Sequence, residues 1–287
     1  MPVCPPSQFT RLYMETATAL FPLALAMLLT GVVGGLLAGL LGVGGGIVIV
    51  PVLDTALGIY GVDPDIRMHV AVATSLATIV PTSISSVRAH HAKGAVDAAL
   101  ARYWGPWVFA GSAVGAALAA QSGSGVLSAL FGIVALLVAL KMMLPLQEVF
   151  IRDGVPTGLL GPAIPLGIGG LSSMMGIGGG TLSVPVLTLL NQPIHRAVGT
   201  AAVFGLLISL PGALGYMLAG WGDSRLPPGS LGYVNLIGLV LIAPLTVLTA
   251  PLGARLAHRL GQRQLSLAFG VFLLLVAARM LFRTFTA

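Results

Sequence analysis

Glycines, rather than acids or nucleophiles, dominate the positions in this chain that could do chemistry. Gly42-Val-Gly-Gly-Gly46 and Gly176-Ile-Gly-Gly-Gly180 each lie within apolar sequence, and each is followed five residues later by a proline, Pro51 or Pro185. Consecutive glycines interrupt a helix at about 1 kcal/mol each relative to Ala. Where the helix resumes, its first N–H groups lack intrahelical partners and carry a partial positive charge of about half an electron. An anion is the natural occupant of such an end, because glycine lets the backbone approach it closely. Gly44, Gly45, Gly46, Gly178, Gly179 and Gly180 are therefore the candidate backbone ligands.

Neutral hydroxyls near the breaks could add side-chain donors. Thr74, Ser75, Thr78 and Ser83 follow the first cluster, and Ser172, Ser173, Thr181, Ser183, Thr200 and Ser209 surround the second. Many membrane Ser and Thr residues bond only to their own helix. Thr74, Ser75, Thr181 and Thr200 are the chosen candidates, and Thr74 and Thr200 stand out because the internal repeat pairs them. His69 and His195 are also paired near helix ends, where an imidazole can titrate near neutral pH and couple to protons. His90 and His91 sit beside Arg88 and Lys93 in a basic segment. No Lys, Arg, Asp or Glu falls at the middle of an apolar run, and the nearest acid is Asp54. A fixed buried cation and a carboxylate proton relay are both missing from the sequence, which favours weak, dipole-based anion binding.

The elements that must position these groups are membrane helices. Of the 287 residues, 56% are hydrophobic and only 8% charged, whereas soluble domains carry about a quarter charged residues. Apolar runs long enough for roughly 30 Å of hydrocarbon recur at about 17–41, 69–87, 103–121, 125–144, 157–175, 196–219, 231–252 and 265–282. They show no inside/outside alternation, so they are helices rather than barrel strands. The shorter runs 47–58 and 181–191, at roughly 1.5 Å per residue, cannot span alone and should be half-helices. The first run is expected to be a retained helix rather than a cleaved signal. The 14 Lys and Arg are scattered through short loops, which fits membrane topology better than nucleic acid. The single cysteine, Cys4, lies outside every run, so neither a disulfide framework, a metal site nor a cofactor is expected.

The chain repeats itself. Gly35–Leu53 returns as Gly169–Leu187 with ten of nineteen positions identical, His69, Ala71, Val72 and Thr74 match His195, Ala197, Val198 and Thr200, and Gly115 and Met142 match Gly253 and Met280. The loops around Arg88, Lys93 and Arg102 and around Arg255, Arg259 and Arg263 are the most basic, so both should be cytoplasmic. They follow different helices of their copies, which makes the copies inverted and requires an odd number of crossings in each. The expected fold is an all-α polytopic membrane protein of two inverted repeats, each a re-entrant or broken helical hairpin plus three long transmembrane helices. Residues 1–16 form a tail, 17–146 repeat 1, 147–156 a linker and 157–287 repeat 2. Glycines at this spacing also serve close packing between membrane helices. The duplicated cluster with its duplicated proline favours binding.

The duplicated Gly-x-Gly-Gly-Gly followed by Val-Pro-Val-Leu, leading to Ala71-Val-Ala-Thr-Ser75 and Ala197-Val-Gly-Thr-Ala201, closely resembles the sulfite exporter TauE/SafE family, also called the 4-toluene sulfonate uptake permease family. The resemblance covers roughly residues 17–284. It implies a multi-pass permease of the bacterial cytoplasmic (inner) membrane that moves sulfite, thiosulfate, organosulfonates or related small inorganic or organosulfur anions. Its partners would be that anion and the lipid bilayer, without nucleic acid, and it could pair as a homodimer. A passive anion channel is the alternative. A membrane-embedded enzyme would need a nucleophile with a base, or clustered His and acids, at membrane depth, and the sequence offers neither convincingly.

Overall fold

The computed structural model describes residues 25, 27–37, 39, 45–143, 154–156, 158, 160–257 and 262–286. The expected N-terminal tail, Gly44 and most of the expected linker fall outside them. Ten helices lie among the described residues: α1 (Met27–Leu37), α2 (Gly46–Ile59), α3 (Pro64–His91), α4 (Ala98–Ala120), α5 (Ser124–Met143), α6 (Leu160–Met175), α7 (Gly180–Leu189), α8 (Ile194–Ala219), α9 (Leu236–Ala257) and α10 (Gln262–Thr286). The protein is an all-α polytopic membrane protein. Four of the described helices, α3, α5, α8 and α9, are long and apolar enough to cross a bilayer.

Local sequence explains the boundaries. Asp63 caps α3 by accepting the Asp65 N–H at 2.9 Å, with Pro64 at the first helical position. Asp97 caps α4 by accepting from the N–H groups of Ala99 and Leu100. Helix α6 ends in a Schellman turn: Ile177 N–H bonds to Ser172 O at 3.0 Å, Gly176 N–H to Ser173 O at 3.3 Å, and Gly176 takes φ of +67°. Gly45, with φ of +73°, opens α2. With 14 and 10 residues, α2 and α7 are about 21 and 15 Å long, too short to span.

One expected run is divided. The apolar stretch 231–252 begins with a two-stranded antiparallel pair, β1 (Ser230–Leu231) and β2 (Val234–Asn235), before α9 starts at Leu236. Gly229 and Gly232 adopt positive φ there, and Leu236 N–H closes the turn on Gly229 O at 2.9 Å.

Helices α3 and α8 form the centre. Two-thirds of their apolar windows are buried, 67% each, against 28% in α5 and α9, which therefore turn most of their surface outward. Contacts between the halves come in reciprocal pairs. Gly35 of α1 sits on the backbone of Thr246 in α9, and Gly169 of α6 sits on the backbone of Val108 in α4; neither glycine has room for a Cβ. Gly253 of α9 abuts Leu36 O just as Gly115 of α4 abuts Gly170 O. Small residues let these backbones touch, as membrane helix interfaces require.

Equivalent helices cross in opposite directions. On α5 and α10, Gly132 meets Ala277 and Leu281, while Gly270 meets Ala139 and Met143. On α3 and α8, Ser83 meets Gly205 while Leu76 meets Gly212. By contrast, α3 and α9 run the same way: Asn235 N–H donates to Thr74 Oγ1 at 2.9 Å, and Thr82 Oγ1 lies 2.9 Å from Thr246 Oγ1. Their C-terminal ends therefore share one face, the face from which the basic segment at Arg88–Lys93 projects.

Candidate functional site

The two glycine turns meet at the centre of the molecule. A Cβ built on Gly46, the first residue of α2, would strike Gly176 O and lie 3.0 Å from both Ile177 Cα and Ile79 Cδ1. At Gly176 it would lie 2.8 Å from Val72 Cα and 2.9 Å from Val50 Cγ2. Ser75, one of the expected ligands, donates to Gly176 O at 2.8 Å and ties α3 to the second turn. Gly45, Gly46 and the 176–180 turn are thus brought together with Ser75.

The N-terminus of α7 opens into a cleft of about 50 Å³. Gly179 and Gly180 form one wall, and Thr82, Ser83, Ser85 and Ser86 of α3 another. Ala201, Ala202 and Gly205 of α8, Gly39, and Ala250 and Pro251 of α9 complete it, with His90 toward the basic face. Gly179 is pressed against α8, where a Cβ would lie 2.6 Å from Gly205 N and 2.8 Å from Phe204 C. Gly205 in turn faces Ser83, whose Oγ would be 2.8 Å from a Cβ there. Ser83 is 4% exposed, and its hydroxyl, open to the cleft, makes no hydrogen bond among the described residues. Around the second turn, the buried hydroxyls of Ser172, Ser173, Thr181 and Ser183 are also unpartnered among the described residues. Leaving such groups unpaired costs about 1–3 kcal/mol each.

Thr74 and Thr200 each bond across the two halves. Thr74 Oγ1 accepts the Asn235 N–H that precedes α9, and Thr200 Oγ1 accepts the Asp97 N–H that precedes α4, at 3.0 Å. Each hydroxyl therefore holds the start of a helix in the opposite half, and neither lines the cleft. Their hydrogens remain available for a second bond.

The two expected histidines lie at opposite faces. His69 is buried, with Nε2 3.1 Å from Ala119 O and 3.0 Å from Ser122 O, and its ring is 5.1 Å from that of Tyr233. It braces the turn between α4 and α5. His195 is exposed near His90, toward the basic end.

Two features escaped sequence reading. Asp54 of α2 and Arg67 of α3 form a buried ion pair at 3.1 Å, and Arg67 Nη1 lies against Gly58, where a Cβ would be only 2.7 Å away. The signal was a lone acid in an apolar half-helix with an arginine just beyond it. The hydroxyl wall of the cleft was visible only as Thr82-Ser-Ile-Ser-Ser86, four hydroxyls in five residues after Pro81.

A family model described as sulfite exporter TauE/SafE matches residues 27–280. A probable membrane transporter protein of Haemophilus influenzae is 34% identical over 265 residues, covering 91% of this chain and 99% of its own length. Others described in the same words are 28% identical in Bacillus subtilis, over 89% of this chain and 96% of that one, and 27% in Methanocaldococcus jannaschii, over 87% and 94%. No solved structure matches.

Proposed function

Because the chain belongs to the sulfite exporter TauE/SafE family, whose model covers nearly all of it, we propose that it carries small sulfur-containing anions such as sulfite, thiosulfate or organosulfonates across the bacterial cytoplasmic membrane. The observation that carries this reading is the N-terminus of α7 at Gly179–Gly180, opening into a hydroxyl-walled cleft beside the unpartnered Ser83. The first peptide N–H groups of a helix point along its axis toward that end, so an oxyanion there gains hydrogen bonds and the favourable end of the dipole together. The neighbouring turn at Gly45–Gly46 adds the second half-helix end, and broken helices meeting at mid-membrane are the usual substrate site of secondary transporters.

In this reading the cleft is the site exposed to the basic face, and movement of one half against the other exposes it to the opposite face. The basic face is cytoplasmic by the positive-inside rule. The absence of a charged ligand among the cleft's described lining residues keeps binding weak and release fast.

The test is radiolabelled sulfite, thiosulfate and methanesulfonate flux into proteoliposomes, with Ser83→Ala alongside the native chain. Saturable flux that falls several-fold in the variant is expected. Flux of every sulfur anion at the level of protein-free vesicles would sink the reading, and unitary currents in a planar bilayer would replace the carrier with a channel.

A further inference from the structure

Among its described lining residues, the cleft that ends at Gly179–Gly180 holds no Lys or Arg. Its described lining contributes hydroxyls from α3, glycines from α7, alanines and a glycine from α8, Gly39, and Ala250 and Pro251 from α9. The one titratable side chain in that described lining is His90, with Lys93 and His195 as its neighbours near the basic face. The N-terminus of α7, which lines the cleft, supplies about half an elementary charge. The unpartnered Ser83 hydroxyl adds a neutral donor beside Gly205 and the Gly179 amide.

The cost of drawing an ion out of water rises with the square of its charge, about four times as much for a dianion as for a monoanion. A half-dipole and neutral hydroxyls can hold one negative charge weakly and leave a second one uncompensated at membrane depth.

We infer that this site selects monoanions: bisulfite and organosulfonates rather than sulfite, sulfate or thiosulfate dianions. The inference rests on the transport reading above and narrows its substrate class. Sulfite is half-protonated near neutral pH, so its carriage rises as pH falls because the carried species becomes more abundant. The proton travels on the substrate, and no protein group need bind it.

The experiment uses the full-length chain in proteoliposomes, with flux through protein-free vesicles subtracted at every pH. Methanesulfonate, a monoanion at all accessible pH, should move at a rate that is flat with pH and roughly tenfold or more above sulfate and thiosulfate. Sulfite flux should follow the bisulfite concentration, and this profile should persist in His90→Gln. Sulfate or thiosulfate carried as fast as methanesulfonate overturns the inference and leaves the transport reading standing. A sulfite profile that flattens in His90→Gln also overturns it, since the titrating group would then belong to the protein. If no sulfur anion moves at all, the transport reading fails and takes this inference with it.

Discussion

Thr74 and Thr200 make one hydrogen bond twice, in opposite senses: the first takes the N–H of Asn235 at 2.9 Å, the second the N–H of Asp97 at 3.0 Å. Each donor precedes the first residue of a helix, α9 or α4, that belongs to the other half of the chain. Thr74→Val or Thr200→Val should leave that N–H unpaired and lower stability by about 1–3 kcal/mol, with Ser restoring most of it. Thermal unfolding in detergent checks this. A Val variant that unfolds like the native chain yet no longer transports would move these hydroxyls from bracing to substrate contact.

The wall between α7 and α8 offers a sharper separation of fold from function. Gly179→Ala sets a methyl against backbone, 2.6 Å from Gly205 N, so α7 must shift at a cost of about 1–3 kcal/mol. Gly205→Ala meets only the Ser83 hydroxyl at 2.8 Å, which can rotate away. The second variant should keep its melting temperature within a few degrees and lose roughly tenfold or more of its flux, because the new methyl stands between Ser83 and the Gly179 amide. Native-level flux in Gly205→Ala would remove this wall from the site.

The Asp54–Arg67 pair is buried on both sides. Arg67→Met should cost about 3–5 kcal/mol, since a buried carboxylate loses its cationic neighbour. The double variant Asp54→Leu with Arg67→Met should recover much of that loss. A double-mutant cycle on unfolding midpoints measures the coupling, and additivity of the two single effects would show that the pair contributes nothing.

At the opposite face from His90, Arg225 holds the Asp223 carboxyl below the usual carboxylate range, mainly through its side-chain hydrogen bonds at 2.8 and 3.0 Å and also through its backbone N–H. A carboxyl whose folded value is depressed contributes above its unfolded value and loses that contribution as pH falls through the folded one. Asp223→Asn should therefore change loop protection from hydrogen exchange at neutral pH and make no difference in strong acid. An effect that grows on acidification would contradict this sign.

Much of the architecture was legible because membrane insertion leaves strong traces. Unbroken apolar runs marked the helices, and duplicated glycines and prolines marked the two short half-helices α2 and α7. The strand pair at Ser230–Asn235 was hidden, since Leu231, Tyr233 and Val234 read as the start of an apolar run and only Gly229 and Gly232 betray the turn. The site was half legible. Glycine positions follow from backbone geometry, which sequence encodes directly, whereas the role of a hydroxyl depends on which helix packs opposite it. Thr74 and Thr200 looked like ligands because the repeat pairs them, yet the same pairing suits two symmetry-related braces equally well. Ser83 aligns with Ser209 in the same register as Thr74 with Thr200, yet its place in the cleft appears only when α8 sets Gly205 across from it.

The exchanged docking of α1 on α9 and of α6 on α4 has a bearing on synthesis. When the first half leaves the ribosome, α1 can meet α2 but lacks its seat on α9, because the residues around Thr246 that receive Gly35 are made about two hundred positions later. Until α9 is inserted, that early hairpin must wait in lipid or under a chaperone's cover. A gene split between α5 and α6 should therefore yield two fragments that mature only when both are present in one membrane.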